Sequence, residues 1–383
     1  MQVNRYLAGN WTNHRMTIEH HFFKTDQLQL LLDNIHSNGY KCIGPQVRDG
    51  AIIYDALHSI DQLPQGISDS QSAGRYSLNQ TTDKKYFNWA NGPQAIKPLL
   101  FTPHEKLWQS NKSENGSISF AISQADHTPC VIFAARACDI AALKLQDQHF
   151  LQQQFVDPYY QARRENLVTI AVNCSSPADT CFCHSTGDGP FVENGADIVL
   201  TELEDGFLVQ TETHEGEKLL KNIDLKYITV AQSAESELIE KNAQKQKRQL
   251  PSFDIKTRLL NELDNDAWHS IATTCLSCGN CTSVCPSCFC HSENEVPSLD
   301  GKSSEHYRQW DSCFTQGHSY IHGITIRSET SQHYRQWLTH KFSTWFEQYG
   351  RSGCVGCGRC ISWCPVGIDV TESLFSLLER RHD

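Results

Sequence analysis

The sequence predicts an α+β fold, with a mixed α/β domain over residues 1–232, a linker over 233–254 and a helix-rich domain over 255–383. Three observations predict it. Between residues 130 and 174 an apolar run, a helical pattern and a second apolar run follow one another, the strand–helix–strand order of a βαβ-like unit. The stretch "SAESELIEKNAQKQKRQL" at 233–250 is polar, charged and closed by Pro251, as an exposed helix or linker would be. Most of the 17 cysteines are crowded between Cys275 and Cys364.

Composition narrows the function classes. A chain of 383 residues with 39% apolar and 10% aromatic residues has enough material for two or three folded domains. A net charge of −11 argues against a surface built for nucleic acid or anionic lipid, which needs clustered Lys and Arg. No segment is apolar enough to span a bilayer, and "MQVNRYLAGNWTNHRM" lacks the apolar core of a signal peptide and any twin-arginine pair before one. The expectation is a cytoplasmic chain without membrane insertion. In that reducing compartment so many cysteines point to metal rather than to disulfides.

The elements follow in order. "QLQLLLDNIHSNGY" has helical spacing and stops at Gly39, and "CVIFAAR", "NLVTIAVNC", "DIVLTEL" and "GFLVQTE" have strand character. "DIAALKLQDQHFLQQQF" is the helix after the first of these strands. No Gly-x-Gly-x-x-Gly is present, and Gly187 and Gly189 in "STGDGP" read as a tight turn. Further on, Leu259, Leu263, Ala267 and Ile271 recur every four residues, one helix face running into Cys275. "SQHYRQWLTHKFSTWFEQYG" and "TESLFSLLERR" complete the helices, the last capped by Asp369 or Thr371, with Glu372 three residues after Asp369. Two short strings repeat. "HYRQW" at 306–310 and 333–337 carries no ligand pattern, whereas "CFCHS" at 181–185 and 288–292 repeats a cysteine pair.

The decisive motif occurs twice. Cys275-x2-Cys278-x2-Cys281-x3-Cys285-Pro286 is matched by Cys354-x2-Cys357-x2-Cys360-x3-Cys364-Pro365. Two-residue gaps wrap three thiolates around three corners of an iron–sulfur cubane, and the fourth cysteine, before proline, serves the other cluster. Cys275, Cys278, Cys281 and Cys364 are thereby assigned to one [4Fe–4S] cluster, and Cys354, Cys357, Cys360 and Cys285 to a second. Gly279 and Gly358 let the backbone approach the cubes. A four-cysteine zinc site is the alternative, but it needs neither the third step nor the Cys-Pro ending, and not twice. The long insert at 286–353 suggests an α-helical ferredoxin domain rather than the compact hairpin kind.

"RACDIAAL", "DPYYQARRENL", "NCSSPADTCFC", "CLSCGNCTSVCPSCFC", "WDSC" and "GCVGCGRCISWCPVGIDV", in that order, carry a family resemblance that covers residues 27 to 375, "GPQAIKPLLFTPHEKLW" included. The chain resembles the iron–sulfur β subunit of cytoplasmic NAD(P)-linked [NiFe] hydrogenases, the sulfhydrogenases, a family that includes the corresponding component of anaerobic sulfite reductase. The resemblance implies a helical ferredoxin domain at the C-terminus. It also implies a role relaying single electrons between a flavoprotein partner that handles NAD(P)H and a catalytic subunit, of a hydrogenase or of a sulfite reductase.

The other cysteines divide into groups. Cys42 and Cys130 read as core thiols. Cys138 follows one strand and Cys174 ends the next, so parallel pairing would set them side by side, with Cys181 and Cys183 on the loop that follows. Four thiolates at one sheet edge make a candidate third [4Fe–4S] cluster, with zinc or unrelated thiols as the alternatives. Cys288, Cys290 and Cys313 either make a site with His291 or pack beside a cluster, or Cys288 and Cys290 meet Cys181 and Cys183 across a domain interface. Arg136, Asp139, Arg163 and Arg164 are expected in structural ion pairs or partner contacts. No Ser/His/Asp or paired-carboxylate arrangement suggests catalysis by this chain. The alternative is a self-contained oxidoreductase with a flavin or substrate in the N-terminal domain, and the missing dinucleotide fingerprint weighs against it.

Overall fold

The computed structural model describes residues 20–379. The opening segment, expected to hold no leader, lies outside them. An eight-stranded sheet forms the first body. Its strand order is Lys226–Tyr227, His21–Lys24, Gly206–Thr211, Ile198–Glu202, Leu167–Val172, Cys130–Ala135, Lys41–Arg48, Ala51–Ala56. The four strands from 198–202 to 41–48 are parallel, and the flanking pairs are antiparallel. Both faces of the parallel strands are buried. Val131, Phe133, Val168 and Ile170 enter the core that holds helix Leu28–Ser37, while Ile132, Leu167 and Ala171 enter the one that holds helix Ala137–Leu151. Continuous apolar runs such as "NLVTIAV" are what two-sided burial demands.

The strand-then-helix reading of 130–174 therefore holds. Cys130–Ala135 feeds helix Ala137–Leu151, helix Pro158–Glu165 follows, and the chain returns as Leu167–Val172 beside its starting strand. Cys42 and Cys130, read as separate core thiols, lie on neighbouring strands, where Lys41 opposes Cys130 and Cys42 opposes Val131. Burial, the larger cause, and the nearby Cys130 hold the Cys42 thiol far above its usual range.

The C-terminal part is built differently in two places. The face of Leu259, Leu263, Ala267 and Ile271 is not one helix but two, Ile255–Asn261 and Ala267–Ala272. The break is local chemistry. Asn265 Oδ1 accepts from the Ala267 amide at 2.8 Å, and the Trp268 indole donates to the Glu262 carbonyl at 2.7 Å, so side chains replace the helical ladder. Within the insert, His291–Pro297 and Ser303–Trp310 form a hairpin. It pairs with His104–Lys112, which pairs with Ile118–Ile122, in a four-stranded antiparallel sheet. The hairpin is polar and carries no strand periodicity of its own. Its partners select it: His306 stacks on Trp108 at 4.7 Å, and Arg308 is held by Glu105 at 2.5 Å. After a second short hairpin, Tyr320–Ile321 with Ile324–Thr325, the insert ends in helix, with Thr330–Thr339, a π turn at His340–Thr344 and Trp345–Tyr349 forming one rod. The final helix, Val370–Leu378, is capped by Asp369, which accepts from the Thr371 amide at 2.9 Å.

Candidate iron–sulfur centres

The first cysteine run leaves helix Ala267–Ala272 and turns through two left-handed residues, Ser277 and Gly279, with φ of 52° and 71°. These turns aim backbone N–H groups at sulfur, and the Ser277 amide donates to Cys275 Sγ at 3.4 Å. Cys275, Cys278 and Cys281 line a cavity walled by Phe314, Tyr334, Trp337 and Ile368, and Cys364 of the second run lines the same cavity. Cys278 is the exposed member. The Ile368 amide donates to Cys364 Sγ at 3.3 Å. Cys360 borders it too, so five thiols line one largely apolar hollow, and four of them, Cys275, Cys278, Cys281 and Cys364, with amides directed at sulfur, fit a cubane.

The second run repeats the geometry. Gly356 and Gly358 are left-handed, and the Gly356 amide donates to Cys354 Sγ at 3.4 Å. Cys285, from the first run, lies within electrostatic reach of Cys354, Cys357 and Cys360. Its own neighbours are unusual. Ser287 Oγ is 3.3 Å away and Lys341 Nζ 3.4 Å away. Burial pushes the Cys354 thiol up to about 12 and holds Cys281 and Cys360 well above the usual thiol range. Cys285 goes the other way, because the Cys288 thiol donates to it and the Lys341 ammonium sits beside it. Ligation at the raised sites must therefore displace protons.

Parallel pairing does place Cys138 and Cys174 at equivalent strand ends, Cys138 in the first turn of helix Ala137–Leu151 and Cys174 just beyond Leu167–Val172. With Cys181 and Cys183 they are all buried. Cys181 is an electrostatic neighbour of Cys183, Cys174 and Cys357, and Cys138 of Cys357 and Cys183. The group therefore abuts the second run. The contact is backbone on backbone. Phe182 donates its amide to the Gly356 carbonyl at 2.8 Å, and a Cβ on Gly356 or Gly358 would come within 2.5 Å of Cys183 Cα or 2.4 Å of the Thr180 carbonyl. Two amides that no spacing argument reveals complete the group: Asn91 Nδ2 donates to Cys138 Sγ and Gln246 Nε2 to Cys183 Sγ, each at 3.2 Å. Among the described residues no three His, Cys, Asp or Glu gather tightly enough for a single metal ion. Zinc would hold its sulfurs about 2.3 Å from one ion, whereas a cubane spreads them over four corners.

The repeated "CFCHS" does not form a two-sided site. Cys288 neighbours Cys285, both Cys288 and Cys290 neighbour Lys341, and Cys290 neighbours Cys313. Phe289 between them packs on His149, with ring centroids 3.5 Å apart. His291 is exposed, with Nδ1 3.2 Å from the Phe289 carbonyl. The expected ion pairs are present at three of four positions. Arg359 makes a bidentate pair with Asp139 at 2.8 and 3.1 Å, Arg164 meets Asp147 at 3.0 Å, and Arg163 binds Glu105. Arg136 instead donates to the carbonyls of Phe87 and Trp89 and lies over the Trp89 ring at 4.2 Å.

Residues 274–368 match the model of a 4Fe–4S dicluster domain, a span that contains both cysteine runs. The chain is 32% identical over 291 residues to the sulfhydrogenase 2 subunit beta of Pyrococcus furiosus, covering 74% of this chain and 82% of that one. The chain belongs to the sulfhydrogenase β-subunit family. It is an iron–sulfur, electron-transfer protein of that family. No solved structure matches it. Among the described residues no helix is long and apolar enough to cross a membrane.

Proposed function

We propose that this chain is the electron-relay subunit of a cytoplasmic oxidoreductase assembly, passing single electrons between a flavoprotein that handles NAD(P)H and a catalytic subunit. The relative's name, a sulfhydrogenase subunit, favours a hydrogenase, in our reading a [NiFe] hydrogenase, as that assembly over a sulfite reductase. Fully cysteine-ligated cubanes supply one-electron transfer, with no open iron for substrate. In this reading Cys275, Cys278, Cys281 and Cys364 hold the first cluster, and Cys354, Cys357, Cys360 and Cys285 the second. Cys138, Cys174, Cys181 and Cys183 hold a third. The protein's part is to fix spacing and polarity. The mixed α/β domain, residues 1–232, would carry the third centre, and the domain from 255 to 383 the other two, joined by the 233–254 linker.

One observation supports the reading. Cys364, with Cys360 beside it, lines the cavity of the Cys275 group, while Cys285 lies within reach of the Cys354 group, the arrangement in which each run would supply its fourth thiol to the other. The Cys138 group then adjoins the second centre through Cys357, which orders the relay as third, second, first. Serine replacements test the crossed ligation. Cys364→Ser and Cys275→Ser are expected to abolish the same EPR signal of the reduced protein, and Cys285→Ser and Cys354→Ser a different one. Pairing of signals within each run instead would refute it.

A further inference from the structure

Lys341 is a buried lysine, 4% exposed, on the π turn His340–Thr344. Its ammonium makes three hydrogen bonds, to Cys285 Sγ at 3.4 Å, Ser287 Oγ at 3.1 Å and the Gly353 carbonyl at 3.1 Å. None of these partners is a carboxylate, and no Asp or Glu pairs with Lys341 among the described residues. A buried ammonium without a counter-charge is costly, and a chain keeps one only where something anionic sits beside it. The groups around Lys341 that can become anions are thiols: Cys285 first, then Cys288 and Cys354.

The surroundings hold the side chain in place. The Lys341 carbonyl accepts from the Gly353 amide at 2.8 Å and from Ser352 Oγ at 3.1 Å, which ties the π turn to the residues just before Cys354. Ser287, two residues after Cys285, donates to the Gly353 carbonyl at 2.5 Å. Lys341 thus sits where the two cysteine runs meet, bonded to Cys285, to the segment just after it and to the segment that leads into Cys354. π turns inside α-helices are frequent at functional positions.

We infer that Lys341 is the fixed counter-charge of the second cluster, a positioning residue that raises the reduction potential of that centre relative to the first. The inference rests on the cluster assignment proposed above. Reduction adds negative charge to a cubane, and a buried cation donating a hydrogen bond to a ligand sulfur stabilises the reduced form more than the oxidised one. The cavity of the first centre contains no lysine or arginine, and Lys97, which shares a neighbouring hollow with Cys278, donates no hydrogen bond to its sulfurs. Lys97, also buried, donates to the Ser283 carbonyl at 2.8 Å and adds charge on the same side without touching a cluster thiol. In a relay running from third to second to first, the second centre then becomes the place where an electron rests.

The test is a potentiometric EPR titration of the full chain, purified anaerobically as it occurs in its assembly, comparing wild type with Lys341→Met, Lys341→Gln and Lys341→Arg. The wild-type iron content and number of signals test the cluster assignment. The variants test the inference. Met and Gln are expected to move one signal to lower potential and leave the others in place, and Arg to stay near wild type. Gln keeps an N–H donor for Cys285, so it is the variant to read where Met fails to load iron. Full iron content with every potential unchanged in Gln, or an Arg variant as low as Gln, would overturn the role assigned to the charge.

Discussion

Arg359 and Asp139 show what single residues contribute around the centres. Both are almost fully buried, 1% and 2% exposed, and they pair across the junction between the two bodies. Arg359 also donates to the Asn91 side chain at 3.0 Å and to the Gly92 carbonyl at 2.9 Å, so its donors are well used. Removing one member leaves the other charge buried and unpaired. Arg359→Met is expected to lower stability by about 3–5 kcal/mol, read from denaturant unfolding. A loss under about 1 kcal/mol would mean that water reaches the pair. His149 makes the pH-dependent case. Burial, the first cause, and the neighbouring His291 lower its pKa from the usual imidazole value to about 4. Its ring stacks on Phe289, and Nδ1 meets the Tyr349 hydroxyl at 2.7 Å. The folded state therefore binds fewer protons than the unfolded state between these two values. The contribution is fully present above about pH 6.5 and is lost as pH falls towards 4. His149→Phe should flatten the decline of the thermal midpoint between pH 7 and pH 5, and an unchanged slope would assign that decline to other groups.

At the scale of elements, the cluster-bearing turns depend on glycines in unequal ways. Gly356 and Gly358 are left-handed and also pressed against the backbone of 180–183, whereas Gly350 is left-handed with open space around it. Gly350→Ala should cost only the strain of the backbone, about 1–2 kcal/mol. Gly356→Ala and Gly358→Ala should cost clearly more and loosen the contact between the 180–183 loop and the second cysteine run. Unfolding midpoints of the three variants, measured with their iron content, separate the two effects. Equal losses in all three would show that the loop contact contributes nothing. The legibility of elements follows the same physics. The parallel strands and their helix could be read because two-sided burial writes apolar runs into the sequence. The hairpin in the insert could not. "HYRQW" at 306–310 lies in a strand and at 333–337 in a helix. In the strand Arg308 is the buried member, and in the helix His333, Tyr334 and Trp337 are. Pairing with 104–112 and packing on Phe314 decide the outcome, and neither is local.

At the scale of the whole molecule, sequence spacing located the cysteines better than it located what surrounds them. The two runs and the strand-end pair Cys138 and Cys174 were legible, because ligand spacing and parallel strand order are both sequential properties. Asn91, Gln246 and Lys341 were not, because each reaches a thiol from a distant segment and none belongs to a motif. The same contacts explain how two bodies act as one. The hairpin Ile67–Ser72 and Arg75–Gln80 packs on the second run, with Tyr76 stacked on Trp363 at 5.0 Å and the Gly74 amide bonded to the Ile361 carbonyl at 3.0 Å. In the proposed reading the third centre joins the same relay, and a double replacement tests it on its own. Cys181→Ser together with Cys183→Ser should lower iron from about twelve to about eight per chain and delete one EPR signal. An unchanged iron content would remove the third centre and leave the other two.

Anaerobic purification of the full chain, followed by iron, acid-labile sulfide and zinc analysis with EPR of the reduced protein, tests the relay most directly. The expected result is a brown protein with about twelve irons and matching sulfide, little zinc, and interacting signals of reduced cubanes. A colourless, zinc-loaded chain, or one holding about four irons or fewer, would contradict it.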